Sequence, residues 1–219
     1  MLDLDVYEWM DALIRKLQDA FGARLRFVGL QGSRARGEAR DDSDIDAVVV
    51  LDGLCSSDLE KYRAVVGTLT HADIACGFIG STDVLANWSR YDVFNLVMDT
   101  KPLFGSLDFI NTDFTPDDAR QAAKAGACEI YHALGHTITF EPGLLAQVTE
   151  GCIKSSFFVM RALQYSRTGD YPASRSRMRT LASPDEASFL DAYDAKGDFD
   201  AKALSRTLFA WASGIIEST

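Results

Sequence analysis

From Val6 to Phe21 the apolar residues Val6, Trp9, Met10, Leu13, Ile14, Leu17 and Phe21 recur near helical spacing, and Gly22 closes the run. This predicts an opening helix over residues 5–21. Leu25 to Leu30 reads as a strand that enters a Gly32-Ser33 turn. Ile45 to Leu51 is a continuous apolar run of strand length, suited to the middle of a sheet. Ser57-Asp58-Leu59-Glu60 has capping-box spacing and predicts a helix to about Leu69. Ala72 to Ile79 reads as a third strand and Ser81 to Trp88 as a short helix. Tyr91 to Met98 reads as a fourth strand, ending near Lys101-Pro102-Leu103-Phe104-Gly105.

After about Asn111 the texture changes. Thr115-Pro116-Asp117-Asp118 is a strong helix start, with a cap, proline at the first helical position and acid in the first turn. Ser183-Pro184-Asp185-Glu186 repeats that grammar, and helical stretches are expected at roughly 116–135, 143–167, 184–195 and 200–216. The expected class is α+β: a small mixed-sheet domain over residues 1–112, followed by an all-α helical bundle over residues 113–219. No internal repeat or low-complexity segment interrupts either half.

Composition narrows the function. At 219 residues and 47% apolar the chain can bury a real core. Its longest apolar runs fall far short of the roughly 20 residues a membrane span needs, so no membrane association is expected. The start, Met-Leu-Asp-Leu-Asp-Val-Tyr-Glu, is acidic and lacks the basic region of an export signal. Four scattered cysteines without a Cys-x-x-Cys pair, and three histidines, suggest no zinc site; reduced thiols fit a cytoplasmic protein. The formal net charge of −10 argues against a long nucleic acid as partner, which would need a basic face. The same charge is compatible with a cationic small molecule.

The chemistry concentrates between Gly32 and Asp46. A strand runs into Gly32-Ser33, and Asp41-Asp42-Ser43-Asp44-Ile45-Asp46 leads directly into the apolar run after it. Strand alternation puts Asp44 and Asp46 on one face. Two carboxylates side by side repel unless a cation lies between them, and magnesium, which keeps waters and substrate phosphates in its shell, suits that place. The Gly-Ser turn offers backbone N–H groups and a hydroxyl to the phosphates of a nucleotide. Arg34, Arg36 and Arg40 add positive charge; which of them faces the site is left open by spacing, and Arg36 stands with Gly32 and Ser33 among the candidate nucleotide contacts. Rival phosphate motifs fit poorly: Gly32-x4-Gly37 is followed by Glu38 instead of Lys-Ser/Thr, and no Gly-x-Gly-x-x-Gly occurs.

The stretch Val28–Leu51, with Gly-Ser, a spacer and then Asp-x-Asp at a strand start, resembles the signature of the DNA polymerase beta-type nucleotidyltransferase superfamily. Gly-Ser-x-Ala-x-Gly with Ser-Asp-Ile-Asp is especially similar to small bacterial members, the minimal nucleotidyltransferases and antibiotic adenylyltransferases. The motif covers about a tenth of the chain. Pro102-Leu103-Phe104-Gly105 also resembles the family's closing Leu-Tyr-Gly. The resemblance implies a third carboxylate on a neighbouring strand, and Asp73 fits as metal ligand and general base. It implies two magnesium ions held by Asp44, Asp46, Asp73 and the triphosphate of ATP or another nucleotide. In-line displacement would then place a nucleoside monophosphate on a hydroxyl.

In the helical half, Arg161, Arg167, Arg175, Arg177 and Arg179 face one acid, Asp170, within 161–179. The segment Tyr165–Arg175 resembles a helix–loop–helix of aminoglycoside adenylyltransferases in which a basic residue reaches the triphosphate. Arg175 is the candidate, with Lys154 behind it. His132 and His136 lack the upstream arginine of HEPN-type ribonucleases. The expected reaction is transfer of AMP, from ATP, to a small hydroxylated acceptor such as an aminoglycoside. Alternatives are nucleotidylation of a protein partner, as in toxin–antitoxin pairs, and a nucleotide-binding module without catalysis. Some relatives build their site between two subunits, so the resemblance also allows a homodimer.

Overall fold

Asp5 starts the first helix, α1 (Val6–Phe21), by accepting the backbone N–H of Tyr7 at 2.9 Å and of Glu8 at 3.2 Å. The computed structural model describes residues 4–218. These divide into two units, one reaching Ser89 and adding Leu96–Asp113, the other comprising Arg90–Asn95 and the chain from Phe114.

In the first unit, α1 leads to β1 (Leu25–Gln31), a short α2 (Gly32–Ala35), β2 (Ile45–Leu51) and α3 (Ser56–Val66). β3 (Ala75–Ser81) and α4 (Thr82–Ala86) follow, α5 (Arg90–Met98) contributes only its last residues, Leu96–Met98, to this unit, and β4 (Lys101–Gly105) completes the sheet. The sheet order is β3-β2-β1-β4. β1 runs antiparallel to both β2 and β4, while β2 and β3 are parallel, so the sheet is mixed as expected. Pro102, which cannot donate to a ladder, lies on the edge strand β4, where that omission is tolerated.

The two faces of the sheet have different fates. Ile45, Ala47, Val49 and Leu51 of β2, with Leu25, Val28 and Leu30 of β1, pack against Trp9, Met10, Leu13 and Leu17 of α1. Each fully buried Leu or Met there contributes about 2 kcal/mol. Tyr62, Val65 and Val66 of α3 close the same layer. Val48 and Val50 point the other way, onto Phe27 and Leu85. Asp46 shares their parity, so it belongs to the face that α1 and α3 leave uncovered.

Three local expectations change. The third strand begins at Ala75, because Ala72–Ile74 is a 3-10 turn. α3 is capped by Cys55, whose N–H donates to the Asp58 carboxylate at 3.0 Å, and not from Ser57. Residues 90–98 form α5, and the fourth strand is the Lys101–Gly105 segment alone.

The second unit is all-helical beyond its α5 residues: α6 (Pro116–Phe140), α7 (Leu145–Thr168), α8 (Arg175–Arg179), α9 (Pro184–Asp194) and α10 (Ala201–Ser218). Thr115 and Ser183 both form capping boxes, with Asp118 and Glu186 respectively. Small residues let α6 and α7 approach closely: Ala119, Ala122, Ala123 and Ala127 are buried, and a Cβ at Gly126 would come within 2.6 Å of Val159. α10 packs on both. Phe94 of α5 is fully buried, edge-on to Phe114, Tyr165 and Tyr171. Among the described residues no helix is long and apolar enough to cross a membrane.

Candidate active site

The candidate site forms where β1 ends and β2 begins. Antiparallel pairing sets Gln31 opposite Asp46, so the next residue, Gly32, falls beside the carboxylate. Gly32 has φ +72°, and a Cβ built there would run into the Asp46 side chain. Only glycine meets both demands. Gln31 pins the strand end: its Nε2 donates to the Leu96 carbonyl at 2.9 Å and to Thr100 Oγ1 at 2.7 Å. Ser33 lies within α2 immediately after the turn.

Asp44 is exposed and Asp46 half-buried. Burial pushes the Asp46 carboxyl above the usual carboxylate range; the Asp44 charge adds to this, the Arg36 charge opposes it, and Asp99 adds to it again. The pair therefore carries an electrostatic strain that a cation between the two carboxylates would relieve. Both donors are hard oxygens, which suits magnesium completed by water and phosphate oxygens.

The arginines divide their duties. Arg34 holds the loop that delivers the acids, its Nε donating to the Asp44 carbonyl at 3.0 Å and its Nη2 to the Ser43 carbonyl at 2.6 Å. Arg36 Nη1 donates to both Asp99 carboxylate oxygens, at 2.9 and 2.8 Å, and its Nε donates to Glu38 at 3.1 Å. The Arg36 and Asp99 side chains are only 7% and 6% exposed. The guanidinium expected at the nucleotide is thus bound to two carboxylates of its own unit.

Asp73 is exposed and occupies the 3-10 turn before β3. Ile45 pairs with Ala75, so Asp73 stands two residues ahead of β3 as Ser43 stands ahead of β2. The strand residue in register with Asp46 is Cys76. Gly32, Asp44 and Asp46 are brought together; among the described residues no group of three or more His, Cys, Asp or Glu converges to hold a metal ion, so Asp73 is not gathered with the pair. Lys154 and Arg175 lie in the helical unit. Lys154 is exposed on α7 and pairs with Glu150 at 3.1 Å. Arg175 opens α8 with its guanidinium over the rings of Phe157, at 4.6 Å, and Tyr193, at 3.7 Å.

Gln31, Glu38 and Asp99 are functional neighbours of the site that sequence reasoning missed. Gln31 and Asp99 act through contacts to residues more than 60 positions away, which leave no local signal, while Glu38 pairs with Arg36 only two residues off.

Two carboxylates and a glycine turn thus meet where β1 ends and β2 begins. A nucleotidyltransferase-domain family model matches residues 10–70, which include the turn and both acids. The fold is similar to that of a crystal structure of the spectinomycin adenyltransferase AAD(9) from Enterococcus faecialis with ATP and spectinomycin: TM-score 0.61, 13% identity, covering 97% of this chain and 100% of that one. A toxin–antitoxin structure with AMP-PNP is 19% identical over 61% of this chain and 97% of its own; its TM-score of 0.35 is too low to indicate a shared fold. No curated protein matches the sequence. Residues 10–70 thus match a nucleotidyltransferase domain, and that match supports an enzyme activity of this type.

Proposed function

We propose that the protein transfers AMP from ATP to a hydroxyl of a small, cationic, aminoglycoside-like acceptor in a magnesium-dependent reaction that releases pyrophosphate. The observation that carries this is the Asp44–Asp46 pair at the β2 start with Gly32 pressed against Asp46. The acceptor oxygen bonds to the α-phosphorus, the bond from that phosphorus to the β-bridging oxygen breaks, and pyrophosphate departs. Gly32 and Ser33 orient the triphosphate. Asp44 and Asp46 would hold magnesium, which supplies charge neutralisation for the phosphates. Asp73, exposed in the turn ahead of β3, is the proposed base for the acceptor's proton, and the pair would hold the metal without it. The net charge of −10 favours a cationic acceptor, and spectinomycin in the fold relative's crystal structure is the precedent for its class.

The test is thermal unfolding with ATP, GTP, CTP or UTP, with and without magnesium, for wild type and the Asp44→Asn/Asp46→Asn variant. A nucleotide at a hundred times its dissociation constant stabilises by about 2.7 kcal/mol. For a chain of this length that raises Tm by about 5–10 °C. The expected result is a magnesium-dependent rise with ATP that the double variant loses. No rise with any nucleotide would overturn the proposal, and a preference for another base would replace ATP as donor.

A further inference from the structure

Zinc looks excluded when cysteine spacing is the only guide, yet the helical unit places two of the chain's three histidines on one exposed stripe. His132 and His136 are four residues apart on α6, a helix of 25 residues. Four residues is just over one turn, so the two imidazoles stand one above the other. Their ring centroids are 6.2 Å apart with planes 35° from parallel. Both rings are exposed, on the side of α6 away from its buried residues Ile130, Leu134 and Thr137.

From this geometry we infer that His132 and His136 form a two-imidazole site for one late first-row divalent cation, of which zinc is the probe. The site is separate from the Asp44–Asp46 pair and independent of nucleotide transfer. Imidazole nitrogens bind such cations at about 2.0–2.1 Å, which sets the two centroids about 5–6 Å apart. The observed 6.2 Å therefore needs only a small side-chain rotation. Two histidines four apart on a helix form the ligand pair of a known zinc-binding motif, for this same geometric reason. The helix is held on its other side by α7 and α10, so the spacing between the two backbones is set before any cation arrives.

The surroundings favour a cation. No lysine or arginine occurs in the sequence between Lys124 and Lys154, whereas Glu129 and Glu141 fall within that stretch. Glu141 stands 4.0 Å from His136 Nε2, and the Phe140 ring packs on His136 with centroids 5.3 Å apart. Because no third His, Cys, Asp or Glu joins the pair among the described residues, water completes the coordination. The chain then presents two donor chemistries: hard carboxylates on β2, suited to magnesium, and nitrogens on α6, suited to zinc, copper or nickel. Softness and the order of divalent affinities keep magnesium from competing at the second site.

The experiment uses tag-free, metal-stripped full-length protein in excess magnesium, titrated with zinc against a chromophoric chelator. The Asp44→Asn/Asp46→Asn variant is titrated in parallel, so that failure of the nucleotidyltransferase reading does not disturb the result. One equivalent should bind in both. His132→Ala or His136→Ala alone should weaken uptake at least about tenfold, and the double variant should abolish it. His71→Ala and Cys128→Ser should leave it unchanged. Of the three imidazole signals in the proton NMR spectrum, zinc should shift two, and His71→Ala should remove the unshifted one. The His132 and His136 side chains are exposed, so far-UV circular dichroism should stay constant across the variants. Absence of uptake by wild type, uptake unchanged in the double variant, or loss with Cys128→Ser instead would each overturn the inference.

Discussion

Asp46 bears two costs together, partial burial and the neighbouring charge of Asp44, and both raise its carboxyl's affinity for a proton. An acid whose folded-state pKa is raised destabilises the fold at pH values above that pKa, and the penalty fades as pH falls through it. Replacing the carboxylate by a neutral amide of similar shape removes the penalty at neutral pH. Asp46→Asn should therefore raise the Tm of the ligand-free protein by about 1–3 °C while abolishing transfer. Calorimetry of the free protein, paired with a pyrophosphate-release assay, reads both effects. A lower Tm for the ligand-free variant would mean that Asp46 contributes to folding by a contact other than its charge. Gly32 belongs to the same balance. Its positive φ and its contact with Asp46 hold the acid at the turn, and the Gly-Ser followed by Asp-x-Asp pattern already marked that pairing in the sequence.

Between elements, the Arg36–Asp99 pair ties the end of α2 to the segment joining α5 and β4. Both side chains are nearly inaccessible, so removal of one partner leaves a buried charge poorly compensated. Asp99→Asn should cost about 3 kcal/mol, the low end of what broken buried pairs cost, because Glu38 still holds Arg36. Urea unfolding measures it; a cost under about 0.5 kcal/mol would place the pair among the weak surface bridges. This contact was not legible in the sequence, since 63 residues separate its partners. The legible elements were those with local grammar. α1 had its apolar stripe, and α6 and α9 had Thr115-Pro116 and Ser183-Pro184 with an acid at the third helical position. α5 was not legible: Tyr91, Val93, Phe94 and Val97 have strand-like propensities, and tertiary packing overrode them. Phe94 is buried among aromatic residues of the helical unit, while the next segment, Lys101–Gly105, takes the edge beside β1. The start of β3 was misplaced for a related reason. Ala72-Asp73-Ile74 alternates as a strand would, but His71 adopts a left-handed conformation and turns the chain into a 3-10 step.

Across the whole molecule, the acids outnumber the bases by ten, and pH sets the balance among them. Two carboxyls, one in each unit, sit below the ordinary range. Arg24 donates to Asp58 at 3.0 and 2.6 Å, and the Cys55 N–H adds to the effect. Burial works to raise Asp118, but the Thr115 N–H and hydroxyl and the Arg90 guanidinium outweigh it. An acid with a depressed folded-state pKa contributes stability above its unfolded value, about 3.9 for Asp, and loses that contribution as pH falls through the folded pKa. Asp46 runs the opposite way, its penalty lifting as the solution becomes acidic. Stability should therefore hold or rise slightly as pH drops through the region just above the ordinary carboxylate range, then fall steeply below about 4 as Asp58 and Asp118 take up protons. Melting curves across that range in wild type, Arg24→Ala and Asp46→Asn separate the contributions. Arg24→Ala should lower stability at pH 7 and flatten the acid limb, because Asp58 returns toward its unfolded value and has less to lose. Asp46→Asn should remove the gain on acidification just above the ordinary carboxylate range and leave the steep limb intact. An acid limb equally steep in Arg24→Ala would assign the loss to other carboxyls and remove the Arg24–Asp58 pair as a cause of acid sensitivity.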